Sequence, residues 1–209
     1  MAGLFSRVTR FLNPNSEASD PGRVTLSISK LRVVSPELFD DQGKLITGAI
    51  PGVAQNCADL IQYFSEHLMH GDSRAAVVLS TEPYLLVAAY TDELDYDAVL
   101  EFPSALSNLY QLKAGSRLLT INTYRPIASN MQVVADLKHG PKSYRRYSNF
   151  VPLIAEFLSD DLHTIQSRKS QIQESEWSRA VACGSEFLKS GHRPRLGNPC
   201  LSHRPRGNN

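Results

Sequence analysis

The apolar residues between positions 75 and 102 form three runs separated by two short polar stretches, and this pattern predicts a three-stranded meander. The runs 75–79 and 84–90 are apolar at odd and even positions alike, so we expect both faces of these strands to be covered. The third run alternates, with Asp97 and Glu101 sharing one face. This alternation predicts a strand nearer an edge of the sheet, with one wetter face.

Three further segments have the apolar periodicity of helices: 51–70, 103–112 and 149–190. In the first, Leu60, Phe64 and other apolar residues form a single stripe, and a glycine follows its last residue. The third has an apolar stripe that becomes thin in the middle, which leaves open whether 160–190 is one helix or two. Because the meander has two apolar faces, helices are expected to pack on it.

Two more stretches have the composition of strands. The stretch 23–29 alternates, with Val24, Leu26 and Ile28 on one face, and the stretch 116–124 is rich in leucine, isoleucine and threonine. Together these patterns predict one α+β domain over 23–190. Its mainly antiparallel sheet is centred on the meander 75–102, with flanking helices and a C-terminal helical segment.

The ends of the chain have a different composition from this domain. Residues 1–12 place apolar side chains at helical spacing beside two arginines, so 1–22 is interpreted as a short amphipathic segment followed by a linker. The amphipathic segment is expected to dock on the core, with a membrane surface or a partner as the alternative. Residues 189–209, which include the basic tail 191–209, carry five basic residues and no acid, while the rest of the chain has a net charge of −4. A basic segment with so little apolar surface is predicted to be disordered.

Composition excludes several classes of protein. The net charge of +1 gives no overall argument for nucleic-acid binding, and no apolar run approaches the roughly 20 residues that span a bilayer. The three cysteines Cys57, Cys183 and Cys200 lack the spacing of a zinc site or a disulfide framework. These features predict a soluble protein of the reducing cytoplasm.

An acidic cluster supplies the candidates for catalysis: Asp92, Glu93, Asp95 and Asp97. Carboxylates crowded at a strand connection can bind Mg²⁺ or raise one another's pKa values, although an acidic hairpin turn is the ordinary explanation. His67 and His70 form an incomplete metal site by spacing alone. No nucleotide-binding or hydrolase motif is present, so we expect no cofactor and no bound metal.

Two basic groups supply the candidates for binding an anionic partner. One is the set of tail arginines, Arg193, Arg195, Arg204 and Arg206. The other is a cluster in which two adjacent arginines are flanked by tyrosines that suit base stacking: Tyr144, Arg145, Arg146 and Tyr147. The alternative is that both groups are solvated surface.

The leading hypothesis is a non-catalytic protein–protein interaction or adaptor module whose partner is another protein. It depends mainly on the missing catalytic signatures. One alternative is an enzyme with a carboxylate or metal site around 92–101. The second alternative is a nucleic-acid-associated protein that uses its basic tail. The oligomeric state is left open by the sequence.

Overall fold

The computed structural model of the chain describes residues 18–46, 57–127, 132–137 and 146–202. Its helices are α1 (Ile28–Val34), α2 (Cys57–His70), α3 (Ala105–Leu109), α4 (Leu162–Gln171) and α5 (Glu174–Lys189). Its strands are β1 (Asp72–Ser80), β2 (Tyr84–Thr91), β3 (Tyr96–Pro103), β4 (Arg117–Pro126), β5 (Tyr147–Ile154) and β6 (Arg195–Leu196). Short 3₁₀ turns cover Pro36–Leu38 and Ala155–Phe157. Among these helices, none combines the length and the apolar character that crossing a membrane requires.

The six strands form one sheet in the order β5-β4-β1-β2-β3-β6. All neighbours pair in antiparallel fashion except β3 and the two-residue β6, which are parallel. The predicted α+β class and the central β1-β2-β3 meander are therefore confirmed. The helix predicted over 51–70 is present from Cys57, and its first six residues lie outside the described ranges.

The sheet is curled, so that its two end strands approach each other. Arg195 in β6 is completely buried, and its Nη1 donates a hydrogen bond of 2.8 Å to the carbonyl oxygen of Phe150 in β5. The same guanidinium group lies over the Phe150 ring. Because β5 and β6 stand at opposite ends of the strand order, this contact links the two ends of the sheet.

Both faces of the central strands are covered, as the two-sided apolar runs predict. Ala75 and Val77 of β1 pack in a cluster with Trp177 of α5. Val78, on the other face of the same strand, belongs to the main core, which also contains Phe64 of α2. The predicted wetter face of β3 is wrong, because α5 covers that face, and Asp97 has no solvent exposure.

The strand predicted over 23–29 is wrong. Ser27 ends the extended segment by accepting a hydrogen bond from the Lys30 backbone N–H, which caps the start of α1. Val24 is buried, but its backbone N–H donates to the Leu68 carbonyl at the end of α2 and joins no sheet. The alternating pattern correctly predicted that Val24 is buried, but the backbone of Val24 pairs with the end of α2 and not with a neighbouring strand.

The helix predicted from residue 149 is also wrong at its start, because Tyr147–Ile154 is strand β5 and pairs with β4 along its length. A short apolar run does not distinguish a buried strand from a helix, and pairing with a long partner decides the outcome here. The question left open for 160–190 has a clear answer. Ile172 adopts an extended conformation and separates α4 from α5.

The expectation of a disordered segment is wrong for residues 191–202. Residues 195 and 196 pair with β3, and Cys200 is buried in the main core. Arg195, predicted to lie in a free tail, is the largest fully buried side chain of the described residues. The amphipathic segment 1–12 and residues 203–209 lie outside the described ranges.

Candidate functional site

A polar cleft of about 690 Å³ opens where β1 begins, beside the connection between α4 and α5. The strands and the preceding segment contribute Ser19, Asp20, Ser73, Arg74, Tyr90 and Asp92. The two helices and their connection contribute Arg168, Gln171, Ile172, Gln173, Ser175, Glu176 and Arg179. Almost all of these side chains can form hydrogen bonds, so the cleft suits a polar or charged ligand.

Arg74 organises the floor of the cleft. Its Nε donates to Asp92 at 2.6 Å, its Nη1 donates to Asp20 at 2.8 Å, and its Nη2 lies 2.8 Å from an oxygen of Asp72. The remaining Nη hydrogens reach the Ser73 carbonyl and the Ser19 hydroxyl. All five donor hydrogens of the guanidinium group therefore have acceptors, and its orientation is fixed.

The three carboxylates around Arg74 differ in their access to solvent. The Asp72 side chain is 6% exposed, whereas Asp20 and Asp92 are 51% and 48% exposed. Burial raises the pKa of Asp72 to about 6, although the charge of Arg74 acts in the opposite direction. Hydrogen bonding to Arg74 lowers the pKa of Asp20. The cleft thus presents two solvated carboxylates above a buried ion pair.

Helix α5 forms one wall of the cleft and is attached to the sheet by polar contacts. Glu176 accepts a hydrogen bond of 2.7 Å from the Ala75 backbone N–H, and desolvation raises the pKa of this carboxyl group. One turn later, Arg179 donates two hydrogen bonds to Asp95, at 2.8 and 2.6 Å. Asp95 also accepts a hydrogen bond from the hydroxyl of Tyr90, another residue of the lining. These contacts hold the wall at a defined distance from the strands.

The acidic candidates do not converge on one point. Asp92 lies in the cleft and is bound to Arg74, Asp95 is bound to Arg179, and Asp97 is buried below α5. Glu93 makes an interaction of its own and is not part of the lining. Within the described ranges, no three His, Cys, Asp or Glu side chains are grouped so that they could hold a metal ion.

Asp97 stands out among these acids. It is completely buried, and neither of its carboxyl oxygens has a hydrogen-bond partner among the described residues. Desolvation raises its pKa well above the usual value for aspartate. A carboxyl group in such a place is stable only in the neutral form.

The basic candidates are dispersed as well. Arg195 is bound to Asp136 inside the fold, whereas Arg193 is exposed. Tyr147 is buried against Tyr124, and the exposed Arg146 lies over the Tyr147 ring. The other four candidates, Tyr144, Arg145, Arg204 and Arg206, lie outside the described ranges. Burial of Arg195 and Tyr147 removes both from any surface that could contact nucleic acid.

Sequence reasoning missed most of the cleft, including Asp20, Arg74, Glu176 and Arg179. One local signal was present: Asp72 and Arg74 are two residues apart and charged, at the start of an otherwise apolar strand. Charged side chains on a strand face that is buried require partners, so this pair marks a polar site. The partners of this pair come from two distant segments, 19–20 and the residue that follows β2, Asp92, and leave no local pattern.

Comparison of the chain with protein-family models, with curated proteins and with solved structures finds no match. Functional inference therefore depends on the geometry of the cleft itself.

Proposed function

We propose that this protein is a non-catalytic interaction module whose cleft receives a basic segment of a partner protein. One observation carries the proposal: Asp20 and Asp92 are half exposed, while the buried Arg74 holds both in place. A pair of carboxylates that is fixed before binding loses little conformational entropy when a cationic group arrives.

The charge of the cleft agrees with a cationic ligand. The lining carries three carboxyl groups (Asp20, Asp92 and Glu176) and three guanidinium groups (Arg74, Arg168 and Arg179), and Asp72 and Asp95 directly behind it add two more carboxyl groups. Arg74 and Arg179 are already paired with carboxylates. A lysine or arginine of a partner would therefore meet an excess of negative charge, and complementary charge favours encounter and register.

The fixed state of the acids supports recognition more than catalysis. Asp20, Asp72 and Asp92 are bound to Arg74, and Glu176 is bound to the Ala75 backbone. An acid that must transfer protons needs access to a reacting atom. Asp72 and Glu176, whose pKa values are raised, are held by Arg74 and by the Ala75 backbone, whereas Asp20 and Asp92 stay half exposed and can meet a cation. We therefore keep the adaptor hypothesis and identify the cleft as its binding surface.

The rim favours a peptide segment as the source of the cation. Gln171, Gln173, Ser175 and Ser19 surround the carboxylates, and their amide and hydroxyl groups can both donate and accept hydrogen bonds. Such groups suit the alternating N–H and C=O groups of a peptide backbone. A free amine would use the carboxylates and leave this rim without partners.

The test measures the binding of two synthetic peptides that differ only in charge, one arginine–serine and one glutamate–serine repeat. We expect saturable, salt-sensitive binding of the arginine peptide alone. Asp20→Asn combined with Asp92→Asn keeps an oxygen acceptor for Arg74 and removes the two exposed charges, so binding should weaken at least several-fold.

Glu82→Gln supplies the matched control, because Glu82 is an exposed acid of the β1-β2 turn, outside the cleft lining. It should bind the arginine peptide as the parent does. Equal affinities of the double variant and the control, or no saturable binding at all, would refute the proposed function.

We also propose the cytoplasm as the working compartment. Cys57, Cys183 and Cys200 are all buried free thiols. Thiols that remain unpaired suit a reducing environment.

A further inference from the structure

The contact between Asp97 and α5 is unusually close. A side chain added at Gly184 would place its Cβ 2.6 Å from Ala88 and 3.2 Å from the Oδ2 atom of Asp97. The helix backbone therefore lies directly on the carboxyl group, in a space that admits no larger residue than glycine. Asp97 sits on β3, which is held between β2 and β6, so the helix is the side of this contact that can yield.

We propose that α5 is a proton-controlled wall of the cleft: neutral Asp97 allows the helix to seat on the sheet, and loss of the Asp97 proton displaces the helix. An ionised carboxylate without hydrogen-bond donors is strongly unfavourable in a protein interior. Movement of α5 admits water to the carboxylate and relieves that cost.

The charged and titratable groups around Asp97 reinforce this behaviour. The Gly184 backbone N–H and the charge of Arg179, both on α5, lower the pKa of Asp97, but desolvation outweighs them. The Arg179 guanidinium group is already bound to Asp95, whose negative charge acts in the opposite direction. Burial raises the pKa of Cys183 to about 11, and the pKa of Tyr96 is also raised, so both remain neutral near pH 7. Asp97 is therefore the group of this cluster whose ionisation can change the packing of α5.

Displacement of α5 would dismantle the cleft, because this helix carries Glu176 and Arg179. In the terms of the proposed function, a basic peptide should then bind less well as the pH rises. Ionisation of Asp72, whose pKa is about 6, would have the opposite effect, since it adds negative charge to the cleft as the pH rises. The sign of the pH dependence therefore separates the two mechanisms.

Trp177 allows a test that needs no ligand. It is the only tryptophan of the chain, it lies on α5, and it is buried against the sheet. Its fluorescence emission should shift to longer wavelength between pH 5 and pH 9 as the helix leaves the sheet. Asp97→Asn and Asp97→Leu remove the titrating group and should abolish the shift.

Glu101→Gln is the matched control, because Glu101 lies on the same strand face as Asp97 and is only partly buried. It should shift as the parent does. Two neutral variants are included in case one of them does not fold. A variant that does not fold is recognised at pH 5, where its emission differs from that of the parent. A parent whose emission does not change with pH, or a folded neutral variant that shifts like the parent, would overturn the inference.

Binding of the arginine peptide provides the second readout. Above the transition, the parent should lose affinity by up to about tenfold per pH unit, while Asp97→Asn should not. Absence of peptide binding in both proteins would refute the proposed function. The fluorescence shift alone would then test whether ionisation of Asp97 displaces α5.

Discussion

Among the residues that the structure describes, two buried arginines bind carboxylates, and their surroundings differ. Arg195 and Asp136 form a sealed pair with side-chain exposures of 0% and 5%. Arg74 is almost equally buried, at 7%, but two of its three carboxylate partners are about half exposed. Both arginines are buried, and the two sites differ in the exposure of the carboxylates. We call the Arg195–Asp136 pair the closed site, which links parts of the fold, and Arg74 with its carboxylates the open site, which offers a binding surface.

The closed site joins separate parts of the fold. Arg195 donates to both oxygens of Asp136, at 2.6 and 2.8 Å, and also to the Phe150 carbonyl. The hydroxyl of Tyr96 donates to the Asp136 backbone carbonyl. Because these partners belong to β3, β5, β6 and the 132–137 segment, loss of the pair should loosen the curl of the sheet.

The largest expected effect is therefore at Asp136. Asp136→Ala leaves the buried guanidinium group of Arg195 without its counter-charge and should lower the free energy of unfolding by about 3–5 kcal/mol. Denaturant titration at pH 7 measures the loss. Arg193→Ala, two residues from Arg195 on the exposed surface, should change stability by less than about 0.5 kcal/mol. Similar stabilities of the two variants would show that the closed site is not structural.

A third buried carboxyl group, that of Asp97, extends the comparison because no arginine among the described residues forms an ion pair with it. Asp97 has a raised pKa in the folded protein, so the folded state holds a proton that the unfolded state releases above its ordinary pKa of about 4. Stability should fall by about 1.4 kcal/mol per pH unit from there up to the folded pKa. Asp97→Asn should remove this contribution and be more stable than the parent at pH 8. A parallel pH dependence of the two proteins, measured by denaturant unfolding, would contradict this.

The open site should tolerate the loss of its arginine better than the closed site. Arg74→Gln deprives Asp20 and Asp92 of their partner, but both can be hydrated, so we expect a loss of about 1–3 kcal/mol. Asp72 is buried and should take up a proton instead, since its pKa of about 6 already reflects desolvation. The loss should therefore be greater at pH 8 than at pH 5, and denaturant unfolding at the two values checks this. A loss equal to that of Asp136→Ala would remove the distinction between the sites.

The smallest effect is expected from metal ions. Asp95 is bound to Arg179, and Asp97 is buried and neutral, so neither offers ligands to a cation. Millimolar Mg²⁺, Mn²⁺ or Ca²⁺ should leave the melting temperature of the parent unchanged. A saturable rise that is lost in the Asp95→Asn, Asp97→Asn double variant would favour the enzymatic alternative, because a ligand bound to the native state stabilises it.

Elements of strong periodicity could be predicted from the sequence. The meander, α2 and β4 follow from runs that are long enough for their pattern to be unambiguous. The short run around Phe150 was assigned wrongly, since its apolar residues fit either a strand or a helix until β4 is placed beside it. The same limit applies to Val24, whose alternation reflects burial and not strand pairing.

The candidate site was predicted much less well than the fold. Asp92 was selected for its acidic neighbours, and it does lie in the cleft, but its role there depends on Arg74. Glu176 and Arg179 are charged positions of the predicted helical segment 149–190, and nothing in the sequence distinguishes them from other charged positions there. Their function follows only from the place where α5 crosses the sheet.

Hydrophobic periodicity by itself determined the α+β class and the central strands, because burial along one strand or helix is a local property of the chain. Only the tertiary structure decided which charged side chains are buried and which are exposed to solvent. The segment around Arg195 has the composition of a disordered tail. Asp136 and Phe150 nevertheless make burial of Arg195 favourable, because they accept hydrogen bonds from its guanidinium group. Arg74 acquires Asp20 and Asp92 from distant segments. The physical reason is that the cost of burying a charge is set by its partners in space, and those partners are distributed along the whole chain.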